Sequence, residues 1–100
     1  MTTLRDRIKT DVVQGLDFIS PLDLASYDAA AVEAVRIDFT SGFDDSMKRA
    51  LNVPLTKVAR RHGDQNSRPI SYVETVALKT VGGAIDLTTA AATGQPFAGE

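Results

Sequence analysis

SYVETVALKTVGGAIDLTT, residues 71–89, is the stretch whose reading decides the fold, because it fits both a helix and a β-hairpin. Ser71 followed three residues later by Glu74 is a capping-box pattern that could open a long helix. Against it stands Gly82-Gly83 in mid-segment, at a cost of about 2 kcal/mol relative to two alanines. Val73, Thr75, Val76, Thr80, Val81, Ile85, Thr88 and Thr89 are β-branched and favour strands. A Gly-Gly pair is also a recognised two-residue hairpin loop. Folding the segment there opposes Val81 to Ala84, Thr80 to Ile85, Lys79 to Asp86, Leu78 to Leu87 and Val76 to Thr89. One face then holds Val76, Leu78, Ile85 and Leu87, and the other carries a Lys79–Asp86 cross-strand pair. A one-residue slip spoils both faces, so the hairpin is the preferred reading.

Upstream, Thr2 or Thr3 can cap a first helix in which Leu4, Ile8, Val12 and Leu16 recur every four residues. Gly15 is read as its stop, with Lys9 and Asp11 facing solvent. Ser20-Pro21-Leu22-Asp23 reads as a helix start, and Asp28 as a second start, for a helix through about Val35. From Val35 to Thr40 apolar and polar residues alternate, which suggests a short strand. Ser41-Gly42 punctuates the chain. Asp44, Asp45 or Ser46 can cap a helix with Met47, Ala50 and Leu51 on one face, which Pro54 interrupts or restarts. Leu55, Val58, Ala59 and His62 fall at i, i+3, i+4 and i+7, and Gly63 closes that helix. The expected fold is α+β: two or three helices followed by a small antiparallel sheet with a C-terminal Gly-Gly hairpin. The alternative is an all-α bundle. Residues 1–90 form the expected single domain, and 91–100 an extended tail.

The 100 residues contain no cysteine, which removes disulfides, thiol nucleophiles and cysteine-ligated zinc or iron–sulfur sites. The longest apolar run, Ala29–Val32, is far short of the roughly 20 residues a membrane helix needs. No apolar stretch comes after Arg5, Arg7 and Lys9 to make a signal peptide. The expected location is therefore cytoplasmic, or within an assembled particle. Glycine spacing fits no phosphate-binding loop. His62, the single histidine, lies on an apolar stripe and reads as a satisfied structural imidazole. Asp44-Asp45 reads as helix capping, and no metal or other cofactor is expected.

Charge is unevenly laid out. Residues 1–45 hold four basic and nine acidic side chains, 46–68 hold six basic and one acidic, and 69–100 hold one basic and three acidic. Such blocks can mark a surface that meets an oppositely charged one. Within the basic block, residues 55–63 (LTKVARRHG) resemble the first helix and turn glycine of a helix-turn-helix motif, with Ala59 and Gly63 at the small-residue and turn positions. The resemblance covers nine residues. It fails beyond them, where Asp64 takes a place usually apolar and Pro69 stands where a recognition helix should begin. It implies phosphate contacts by Lys57, Arg60, Arg61 and Arg68, the candidate contacts for a protein or nucleic-acid partner. No aromatic interleaves with them to stack on bases. The expected function is a non-enzymatic structural or adaptor subunit of a larger assembly, of virion-structural type among others. Protein partners or self-association are expected, with no membrane partner. A DNA-binding regulator using residues 57–68 is the alternative.

Overall fold

Residues 71–92 fold as two helices with a break between them. A computed structural model describes residues 3–19, 24–37, 43–63 and 65–97. It places α1 at Leu4–Ile19, α2 at Asp45–Ala50, α3 at Asn52–His62, α4 at Tyr72–Val76 and α5 at Val81–Ala92. Short 3-10 helices lie at Leu24–Ser26 and Ala31–Ala34. Helix takes 67% of the described residues and none forms a strand, so the class is all-α. The expected α+β fold and its Gly-Gly hairpin are overturned, and the all-helical alternative holds.

Local chemistry explains the reversal. Thr80 is the N-cap of α5, with extended backbone, and its hydroxyl accepts from the Gly83 N–H at 3.1 Å. The two glycines thus fall in the first turn of a helix. A Cβ on Gly82 would sit 3.0 Å from the Glu33 carbonyl oxygen, so glycine lets the 3-10 helix at Ala31–Ala34 lie directly on α5. The β-branched threonines that favoured a strand satisfy themselves inside the helix. Thr88 and Thr89 donate to the carbonyls of Ala84 and Ile85, each at 2.8 Å. Val81, Ala84, Ile85, Leu87, Ala91 and Ala92 are all buried. Each large apolar side chain among them contributes about 1.5–3 kcal/mol on burial, against about 1 kcal/mol lost per glycine.

The Ser71–Glu74 capping box is present, but it opens only α4. The strand expected at Val35–Thr40 is not formed by its described residues, Val35–Ile37. Arg36 and Thr80 form a lone antiparallel bridge, with Ile37 N–H donating to Lys79 O at 3.0 Å and Val81 N–H to Val35 O at 2.9 Å. Residues 38–40 of that expected strand lie outside the described residues. So do Thr2, the expected start at Ser20–Asp23, and Ser41-Gly42.

Helix α1 keeps its predicted stripe, with Ile8, Val12 and Leu16 buried. Thr3 and Asp6 cap it reciprocally: Asp6 N–H donates to Thr3 Oγ1 at 3.1 Å, and Thr3 N–H to Asp6 Oδ2 at 3.2 Å. Gly15 does not stop the helix, because Leu16 and Ile19 continue the apolar face onto the core. Asp28 accepts from the N–H groups of Ala30 and Ala31, but it opens only the short 3-10 helix at Ala31–Ala34, not a helix to Val35. Leu51, the C-cap of α2, and partly Met47 face inward, while Ala50 is exposed.

Helix α5 packs against both α1 and α3, which also pack on each other, and α2 packs on α4. The α3–α5 contact is unusually close. A Cβ on Gly63 would strike the carbonyl oxygen of Ala92 and lie 2.7 Å from that of Ala59. Ala59 itself is fully buried. Across the other side, Arg5 forks onto Glu33 at 2.6 and 3.2 Å and reaches Asp86 at 2.8 Å, while Lys9 reaches Glu33 at 3.0 Å. This cluster ties α1 to Ala31–Ala34 and α5.

These contacts set two expectations. Gly15 has open space around its Cβ position, so Gly15→Ala should raise stability by about 0.5–1 kcal/mol. Gly63→Ala should lower it by about 1–3 kcal/mol through overpacking. Urea denaturation reads both, and equal signs would refute the packing account. Second, the Arg5 guanidinium, and after it the Lys9 ammonium, lower the Glu33 carboxyl from 4.5 to about 2. A carboxylate depressed in the folded state contributes stability above its unfolded value and loses it as pH falls toward the folded one. Stability should therefore drop as pH falls from about 4.5 to about 2. Glu33→Gln should flatten that part of the profile, measured as urea midpoint against pH.

Candidate interaction surface

Pro54 has no N–H to give to the Ala50 carbonyl, so the helical ladder is broken between α2 and α3. Leu51 nevertheless keeps helical backbone angles, and Leu55 N–H donates to its carbonyl at 3.0 Å. Asp44 caps α2, its side chain accepting from the Met47 N–H at 2.9 Å. Along this pair of helices Leu51, Leu55, Val58 and Ala59 are buried. Arg49, Val53, Lys57 and Arg60, spaced by four, four and three residues, are exposed on the opposite face. Val53 is 55% exposed.

The stripe meets α4 at Arg49, whose guanidinium carbon lies 4.9 Å from the centroid of the Tyr72 ring. That distance is within cation–π range. Tyr72 is 50% exposed and Val73 64%. Together with Asp45, Arg49 and Val76 they line a groove of about 360 Å³ between α2 and α4. Lys48, a buried lysine, donates from Nζ to the Val76 carbonyl at 3.3 Å. A cation there complements the C-terminal end of α4.

The structure divides the four basic residues singled out from sequence. Arg68 is a clamp: its two terminal nitrogens donate to the Glu74 carboxylate at 2.9 and 3.0 Å, and its Nε to the Gln95 carbonyl at 2.8 Å. This guanidinium, more than any other partner, holds the Glu74 carboxyl below its ordinary value. Arg61 donates to Asp11 Oδ2 at 3.1 Å. Lys57 and Arg60 are exposed and take part in no ion pair among the described residues. Gly63 comes directly after α3, but none of the described residues among 63–71 is helical, and α4 has only five residues. Ala59 and Gly63 serve the α3–α5 approach.

His62 and Asp11 form the other polar pair, Nε2 to Oδ2 at 2.6 Å, with both side chains about four-fifths covered. Asp11 was expected to face solvent. Instead His62, then Arg61, hold its carboxyl below the ordinary range. It is thus ionised at neutral pH and accepts, so Nε2 carries the proton. Lys9, also expected outside, is held by Glu33 and the Ala29 carbonyl.

No protein-family model matches the chain, and no curated protein or solved structure is significantly similar to it. Among the described residues, no helix is long and apolar enough to cross a membrane, and no group of three or more His, Cys, Asp or Glu side chains is arranged to hold a metal.

Sequence reasoning missed Arg49, Val53, Tyr72 and Val73. The signal was available for the first two, which lie opposite Leu51, Leu55 and Val58 on a helical wheel. Because these groups face outward, Val53→Ser, Tyr72→Ala and Val73→Ser should each change stability by no more than about 0.5 kcal/mol. Losses several times larger in urea titrations would show that the fold requires them.

Proposed function

We propose that this chain is a non-enzymatic subunit or adaptor of a larger assembly, a virion-type particle being one such assembly. The observation that carries the reading is the outward presentation of Tyr72 and Val73 around the α2–α4 groove. Partly apolar, aromatic-edged surfaces beside an arginine match the composition of protein interfaces, where tyrosine and arginine are enriched. Phe18, in the last turn of α1, is 91% exposed and adds a second apolar point on another element. A chain of 100 residues has a thin core, so burial against neighbours also stabilises it.

The reading is tested by the mass of the native particle that holds the protein in its source extract. Sedimentation or size exclusion should place it well above a 100-residue monomer, with other chains or further copies co-migrating. A monomer at every concentration, with nothing co-purifying, would overturn the proposal.

A further inference from the structure

We infer that the outer stripe of α2 and α3, Arg49–Val53–Lys57–Arg60, together with Tyr72 and Val73, binds an acidic amphipathic segment of another protein. The inference rests on the assembly reading above and names the chemistry of the partner. The basic block from Ser46 to Arg68 contains six cations, and the fold sorts them. Lys48 is buried against Val76, Arg61 pairs with Asp11, and Arg68 pairs with Glu74. Arg49, Lys57 and Arg60 remain, and all three point away from the core on one face. Arg60 lies 11 positions after Arg49, or roughly 16 Å along a helix. Val53 stands between them and Tyr72 beside them, so the surface offers apolar contact as well as charge.

Among the described residues, several carboxylates are already engaged within the fold, while Asp45 stays exposed beside Arg49 at one end of the stripe. Asp11, Glu33 and Glu74 are taken by cations within the fold. Asp28 and Asp44 accept from backbone N–H groups. A segment with glutamates along one edge and leucines along another matches this combination of charge and apolar contact, and pairing with a second copy is the rival that the test separates. Nucleic acid is the poorer fit. Three cations neutralise few phosphates, the chain is net acidic, and the exposed apolar groups would contact sugar and phosphate to no benefit.

The test uses the full chain and a fluorescent Glu/Leu amphipathic peptide of about five helical turns. Its Lys/Leu counterpart and a short DNA duplex of mixed sequence serve as rival probes. Fluorescence anisotropy at low salt should show binding of the Glu/Leu peptide only, weakening as salt screens the charges. The triple variant Arg49→Glu, Lys57→Glu, Arg60→Glu should bind at least about tenfold more weakly. Far-UV circular dichroism should show it folded, since all three side chains are exposed. Tyr72→Ala with Val73→Ser should weaken binding while leaving the salt dependence intact. The inference is overturned by any of four results: no binding of the Glu/Leu peptide, unchanged affinity of the triple variant, tighter binding to the duplex, or self-association that the triple variant abolishes. In the source extract, a triple variant that still enters the native particle would sink the stripe but not the assembly reading. Absence of any particle would sink the assembly reading itself.

Discussion

The arrangement depends on how closely other backbone can approach α5. On one side Gly63 and Ala59 bring the end of α3 against the end of α5, with no room for a side chain at Gly63. On the other, Gly82 admits the Glu33 backbone to the first turn of α5. Beyond the last turn, Gly94 takes a positive φ of 73°, in a place where a Cβ would meet the Asn66 carbonyl oxygen. Each contact exchanges a side chain for close backbone packing. Such exchanges suit a small domain, whose core has few large side chains to distribute. The cluster of Arg5, Lys9, Glu33 and Asp86 sits over the Gly82 contact and holds the two elements in register.

These contacts also explain which parts of the fold were legible in the sequence. Helices with one wet face showed themselves. The α1 stripe of Ile8, Val12 and Leu16 and the α3 stripe of Leu55, Val58 and Ala59 are both buried as their spacing requires. The Gly63 stop, and a cap among Asp44, Asp45 and Ser46, were readable because capping is local chemistry, whereas the Ser71–Glu74 box was set aside for the hairpin. Helix α5 was not readable, because it is covered on most of its sides and has no polar face to set a period of 3.6. Its glycines and threonines then spoke for a strand. In the helix the same residues are close-packing and self-satisfying groups, a reading that depends on Glu33, nearly fifty residues away in sequence. The run from Val35 was expected to be a strand, and among its described residues only Arg36 forms a bridge. Whether such a run pairs into a sheet depends on the partner, and Thr80 supplies one bridge only.

The candidate surface was half legible for a similar reason. Composition located the basic block, but composition does not say which cations the fold will consume. Arg61 and Arg68 looked as free as Lys57 and Arg60, yet their partners Asp11 and Glu74 lie on other helices. The wheel position of Arg49 and Val53 was a usable signal once α2 and α3 were treated as one line broken at Pro54. The exposure of Tyr72 and Val73 was hidden by the hairpin reading, which left no place for α4.

Charge that holds a fold together and charge that meets a partner answer to different constraints. Arg68 has its guanidinium fixed by the Glu74 carboxylate and the Gln95 carbonyl, and Arg5 by two carboxylates on separate elements. Restricting those long side chains costs entropy, which several charge-assisted hydrogen bonds from one planar group can offset. Arg49, Lys57 and Arg60 have no carboxylate partner among the described residues, and only Arg49 rests against a ring. Their removal would cost the fold little. Lys57 and Arg60, three residues apart on one face, repel each other modestly, so the isolated chain gains nothing from that pair. Contact with the acidic segment proposed above would relieve that repulsion.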